Sequence, residues 1–197
     1  MEYCRELCQQ YINDDSYVYW SYCCFGNKNY VVVCKLLDDT KTSSETIVNW
    51  KYARFKADKL NVVAIIPKFA SVRAASYVYD TPCNKVAVGT IAKDIHYYKS
   101  FEPAFYADHH YFNKYTGPII IYYNNGVKSH EMDYSNGKEC GIQRHYYPSG
   151  NFKYTCTYVD GKKYGLHIGY HESGNRIDAA AVSKHDGLCR LGAHSAG

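Results

Sequence analysis

A spacing of 24 residues governs the second half of this chain. Gly117, Gly141 and Gly165 stand 24 apart, as do Tyr122, Tyr146 and Tyr170, and Gly126, Gly150 and Gly174. Tyr134 and Tyr158, and Gly137 and Gly161, keep the same step. A fixed period constrains a fold more tightly than local propensity, because every copy must form the same unit and bury its apolar surface against the next. About 24 residues accommodate two strands of roughly six to eight residues and two tight connections.

The turn chemistry fits that unit. The first turn reads NNG, PSG or ESG, and a glycine after a type I turn supplies the left-handed residue that closes a three-residue hairpin loop. The second turn holds Asn136-Gly137 or Asp160-Gly161, the strongest short hairpin signal. Alternation then predicts an antiparallel meander. In copy two, Phe152, Tyr154, Cys156 and Tyr158 are expected on one face, with Lys153, Thr155 and Thr157 on the other. The columns 120/144/168 and 122/146/170 read Ile, Arg, Ile and Tyr, Tyr, Tyr. Arg144 is the misfit in an apolar column, expected to snorkel from its edge, and the tyrosines are expected to stack as a ladder. The third copy degrades after Asp178, as terminal units of repeat arrays do.

Composition excludes several classes. Tyrosine, at 23 of 197 residues, favours half-buried strands. The longest apolar run, Val62 to Pro67, is far too short to span a bilayer, and the start MEYCRELCQQ lacks a signal-peptide core, so an intracellular, untargeted chain is expected. Nine scattered cysteines in such a chain read as reduced thiols. The formal charge is +4, but six basic and five acidic residues between Gly117 and Gly174 leave the repeats at only +1. Nucleic acid is therefore disfavoured, and so is a membrane surface, which stays open.

YYNNG, DYSNGKECG, YYPSG, YVDGKKYG and YHESG resemble MORN-type repeats, in particular the variant of YwqK-like bacterial antitoxin proteins, over about residues 117 to 192. The resemblance implies hairpins stacked into an elongated sheet that binds proteins or, in some members, membranes. In the front half, YARFKADKLNVVAI (52–65) and IHYYKSFEPAFY (95–106), followed by such repeats, look like proteins of giant DNA viruses of the Marseillevirus kind, with Asp94 where that pattern has glycine. That resemblance implies no activity, and it makes viral structural proteins candidate partners.

The front half reads as α+β. Tyr30–Leu37, Leu60–Pro67 and Lys85–Ala92 look like strands; residues 2–12 place Tyr3, Leu7, Cys8, Tyr11 and Ile12 on one helical face; Ser100 is placed to cap a second helix at FEPAFYA. The expected organisation is a small α+β domain over 1–116, a meander of tandem 24-residue hairpins over 117–192, and a flexible tail over 193–197.

Candidate chemistry is thin. Cys4 and Cys8 with Cys23-Cys24 could supply four thiolates to zinc, but without the usual spacing, and buried thiols are the better reading. Asp108-His109-His110 invites a metal or general-base role, but adjacent histidines diverge on a helix. His145, His167 and His171 do not share a repeat column, which argues against a metal ladder. No nucleophile triad, P-loop or dinucleotide motif can be identified, so no catalytic, metal or cofactor residues are assigned. Stacking of bases on the tyrosines lacks the basic groove it requires. The preferred expectation is a non-enzymatic interaction or structural protein with a protein partner. The alternative is an enzyme or ligand-binding domain in residues 1–116 with the repeats as a targeting arm, which a deep pocket there would favour.

Overall fold

The computed structural model describes residues 1–24, 28–44, 46–69, 89–107, 109, 112 and 114–182. A small mixed α+β region is followed by a six-stranded antiparallel sheet built from the tandem units. The first part comprises α1 (Glu2–Gln9), β1 (Tyr17–Cys24), β2 (Lys28–Lys35), β3 (Thr42–Ser43), β4 (Arg54–Pro67), β5 (Gly89–Tyr98) and α2 (Phe101–Tyr106). Its strands run in the order β2-β1-β5-β4-β3, and β2 also pairs with β4, so four strands close into a ring.

That closure explains the run YVVVC. In β2, Tyr30, Val32 and Cys34 join Val18, Phe55, Leu60, Val62 and Tyr97 in the interior of the ring. Val31 and Val33 point the other way, into a second core with Cys4, Cys8, Phe101 and Phe105 from the two helices. A strand buried on both faces has no polar position to alternate with, so it reads as a continuous apolar run. The aromatic stretch of β1 was not anticipated as a strand. Of the segment expected at Lys85–Ala92, residues 85–88 lie outside the described residues.

The second part is β6 (Gly117–Tyr122), β7 (Lys128–Ser135), β8 (Lys138–Tyr146), β9 (Phe152–Val159), β10 (Lys162–Tyr170) and β11 (Arg176–Val182), each antiparallel to the next. The repeat is visible in the pairing itself: Gly117 faces Tyr134, Gly141 faces Tyr158 and Gly165 faces Val182. Ile119 faces Met132, Gln143 faces Cys156 and His167 faces Ala180. Asn136 and Asp160 take positive φ (49° and 52°) ahead of Gly137 and Gly161, as the two-residue turns demand.

The two parts share one core. Ile119 and Met132 of the first copy pack with Phe101, Phe105 and Phe112 of the front half. The first repeat turn also plugs into the loop before β4: Val48 N and Asn49 N donate to Asn125 O, each at 2.9 Å, and Arg54 N donates to Asn124 O at 3.0 Å. Residues 183–197, which include the end of the expected repeat region and the expected tail, lie outside the described residues.

Candidate interaction surface

Successive copies are stitched at both margins of the sheet. At one margin the second tyrosine of each doublet grips the next copy: the Tyr123 hydroxyl donates to Tyr146 O (2.7 Å) and the Tyr147 hydroxyl to Tyr170 O (2.9 Å). The Asn125 and Asn151 side-chain amides add bonds to Pro148 O and Glu172 O (3.1 and 2.8 Å). At the other margin Gly137 N donates to Tyr115 O (2.8 Å) and Gly161 N to Glu139 O (2.9 Å), again one repeat apart. The roles of Tyr123 and Tyr147 were missed by reading columns of identical residues singly, although the doubled tyrosine carried the signal.

The columns are corrected in their facing. Gln143 and His145 are 1% and 8% exposed, whereas Ile142 is 51% exposed and Arg144 is exposed too. Thus 119/143/167 and 121/145/169 point to the buried side, and 120/144/168 and 122/146/170 to the open side. The run Ile119-Ile120-Ile121 fits either phase, and a one-residue slip exchanges the faces of a strand. Arg144 therefore needs no snorkelling: it faces Glu131 across β7. Burial pulls the Glu131 carboxyl upward, but bonds from Lys128 and the Tyr146 hydroxyl and the charges of Lys128 and Arg144 outweigh it and hold the group below the usual range.

The tyrosine ladder is also revised. Tyr122, Tyr146 and Tyr170 lie on alternate strands, two strand spacings or about 9.5 Å apart, too far for direct stacking. The strands between them supply the rungs. Tyr122 faces Lys128, Tyr146 faces Phe152 and Tyr170 faces Arg176. Lys128 Nζ lies 5.9 Å from the Tyr146 ring centre, and Phe152 is 4.9 Å from Tyr146 and 6.3 Å from Tyr170. A register shift at His145/Tyr146 separates Phe152 from Tyr154, so the expected single face of Phe152, Tyr154, Cys156 and Tyr158 is broken at Phe152.

On the buried side, His130, His145, Tyr154 and His167 form a row of rings with centres 4.2, 3.9 and 4.8 Å apart. Ser129 Oγ lies 2.6 Å from His130 Nδ1, and neither Gln143 Nε2, His145 Nε2 nor His167 Nε2 has a hydrogen-bond partner. Burial, then His130, Lys163, Lys153 and His167, push the His145 imidazole down to about 4. His171 sits apart, in the third turn, donating its N–H to Asn175 O. Among the described residues no group of three His, Cys, Asp or Glu side chains could hold a metal ion.

The remaining expected sites resolve unevenly. Cys4 and Cys8 are buried free thiols, and a hydrogen bond to Cys4 together with burial raises the Cys8 thiol far above its ordinary range. The side chains of Cys23 and Cys24, and Asp108 and His110, lie outside the described residues. Ser100 precedes α2 in an extended conformation without a side-chain cap, because its hydroxyl donates to Lys51 O at 2.6 Å.

That bond helps to build a cleft of about 700 Å³ where the two parts meet. Its walls include Trp50, Lys51, Tyr52 and Glu102 from the front half and Tyr122 and Lys128 from the first copy. Tyr52 stacks on Tyr122 at 4.5 Å and 10°, and the Tyr122 hydroxyl donates to Glu102 Oε1 at 3.0 Å. Burial and the Glu102 charge push that hydroxyl far above its ordinary range.

No family model, curated protein or solved structure matches this chain.

Proposed function

We propose that this is a non-enzymatic interaction or structural protein whose binding surface is the open face of the repeat sheet. The observation that carries this reading is the set of large apolar side chains on that face. Phe152 (45% exposed) belongs to the aromatic column, Ile142 stands farther along β8 opposite Thr157, and Val159 and Leu166 are about as open. The margin bonds hold them in a fixed register. Large apolar side chains left exposed on one face of a sheet are candidates for an interaction surface. The resemblance to MORN-type repeats supports the reading, and the resemblance to giant-virus proteins makes a virion or assembly partner the natural candidate. Among the described residues no helix is long and apolar enough to cross a membrane.

The test is recovery of partners by the tagged full chain from its native setting, alongside Ile142→Ser/Phe152→Ser. Loss of a recovered protein from the variant, with its circular dichroism unchanged, supports the surface. Equal recovery by both chains would remove it.

The second reading, a ligand-binding front half with the repeats as a targeting arm, is favoured only by the cleft, and that cleft draws on both parts of the chain.

A further inference from the structure

The junction cleft is a shallow, open depression that differs from the rest of the open face because its walls are set by the backbone. The loop 48–54 is fixed by main-chain bonds to Asn124 and Asn125, Ser100 fixes Lys51, and Gly126 sits so close that a Cβ there would meet Asn49 O at 2.0 Å. An open depression of this kind between two units suits a segment of chain lying across it rather than an enclosed small molecule. Within it Trp50 stays 59% exposed although Phe55 packs against it at 5.5 Å.

One ammonium group lines this aromatic wall and a second adjoins it: Lys51 Nζ is 5.3 Å from the Tyr52 ring centre, and Lys99, outside the lining, has its Nζ 5.5 Å from the ring centre of Trp50 and 5.2 Å from that of the buried Phe55. Neither has a carboxylate within ion-pair distance among the described residues, unlike Lys128, which bonds Glu131 at 2.6 Å. The wall therefore offers an apolar ring surface edged by two ammonium groups that have no ion-pair partner among the described residues, with the Glu102 carboxylate on the opposite, Tyr122 side of the contact. The acidic groups close by are already occupied: Glu102 accepts from Tyr122, and Glu131 accepts from Lys128 and Tyr146.

We infer that the cleft receives an extended acidic peptide segment of a protein partner, with one bulky apolar side chain against Trp50 and carboxylates on Lys51 and Lys99. This rests on the interaction reading above and names the chemistry of the partner. The occupant continues from the cleft onto the open face, because Tyr122 is both a wall of the cleft and the first member of the column that runs through Tyr146 to Tyr170. Nucleic acid fits less well, since a phosphate backbone needs a continuous basic stripe and the adjoining repeats carry a formal charge of only +1.

The test uses the full chain in a Trp20→Phe background, which leaves Trp50 as the sole tryptophan reporter of the two in the sequence. Three probes are titrated: a blocked hexapeptide of aspartates around one phenylalanine, the same peptide with lysines for aspartates, and a single-stranded oligothymidylate. The expected result is a saturable change in Trp50 emission with the acidic peptide below about 1 mM, weakened about tenfold by Lys51→Met/Lys99→Met and by added salt. No saturable change, an equal response to the lysine peptide, stronger binding of the oligothymidylate, or no effect of the lysine variant would each overturn the inference. The variant also separates the two levels. A native partner that is lost with Ile142→Ser/Phe152→Ser but kept with Lys51→Met/Lys99→Met overturns the cleft and leaves the open face standing.

Discussion

Gly126 and Gly174 occupy the same column, yet their surroundings ask different things of them. Both have positive φ (84° and 90°), but an added Cβ at Gly126 would strike the Asn49 and Ala53 backbone, whereas at Gly174 it would meet nothing within 4 Å. Gly174→Ala should cost about 1–2 kcal/mol, the conformational penalty alone. Gly126→Ala should cost at least about 3 kcal/mol, because main chain on both sides must shift. Denaturant midpoints of the two variants check the difference. His145 gives a second residue-scale expectation. Its folded-state pKa of about 4 lies below the 6.5 of a free imidazole, so the unfolded chain binds more protons between those values. Stability is then complete above about pH 6.5 and falls as the pH drops toward 4. His145→Gln should flatten that fall in chemical denaturation series across this range, and an unchanged slope would assign it elsewhere.

At the scale of the element, the hairpin period and its turns were legible in the sequence, because the positive φ that Asn-Gly and Asp-Gly accept is what a two-residue hairpin turn needs. The facing of the strands was not. Three consecutive isoleucines carry no phase, and the buried columns of later copies hold Gln143, His145 and His167, which look like surface residues. The cross-strand partner of Arg144 was equally hidden, since Glu131 lies in a different column of the repeat. The joint between copies provides the prediction at this scale. Tyr147→Phe removes one hydroxyl-to-carbonyl bond and should cost about 1 kcal/mol, concentrated as faster amide exchange in β10 and β11. Uniform acceleration across all strands would contradict a local clamp.

Across the whole molecule, the junction was the least legible feature. Trp50, Tyr52, Glu102 and Tyr122 are distant in sequence and share no pattern, and only the docking of the first repeat turn on the loop before β4 brings them together. The continuous core predicts how the chain unfolds. Ile119 is fully buried among residues of the front half, so Ile119→Ala should cost about 2–5 kcal/mol. The loss should appear as a lower midpoint in one transition shared by tryptophan fluorescence, which reports the front half, and far-ultraviolet dichroism, which reports both. Two separated transitions would show that the parts melt independently.

The grip of one tyrosine on the main-chain carbonyl of the following copy has an evolutionary corollary. A carbonyl is common to every amino acid, so each unit holds its successor without inspecting what side chains that successor brings. Lengthening or shortening the array by whole units, for instance by excising residues 141–164, preserves every seam while the outward lettering is free to drift.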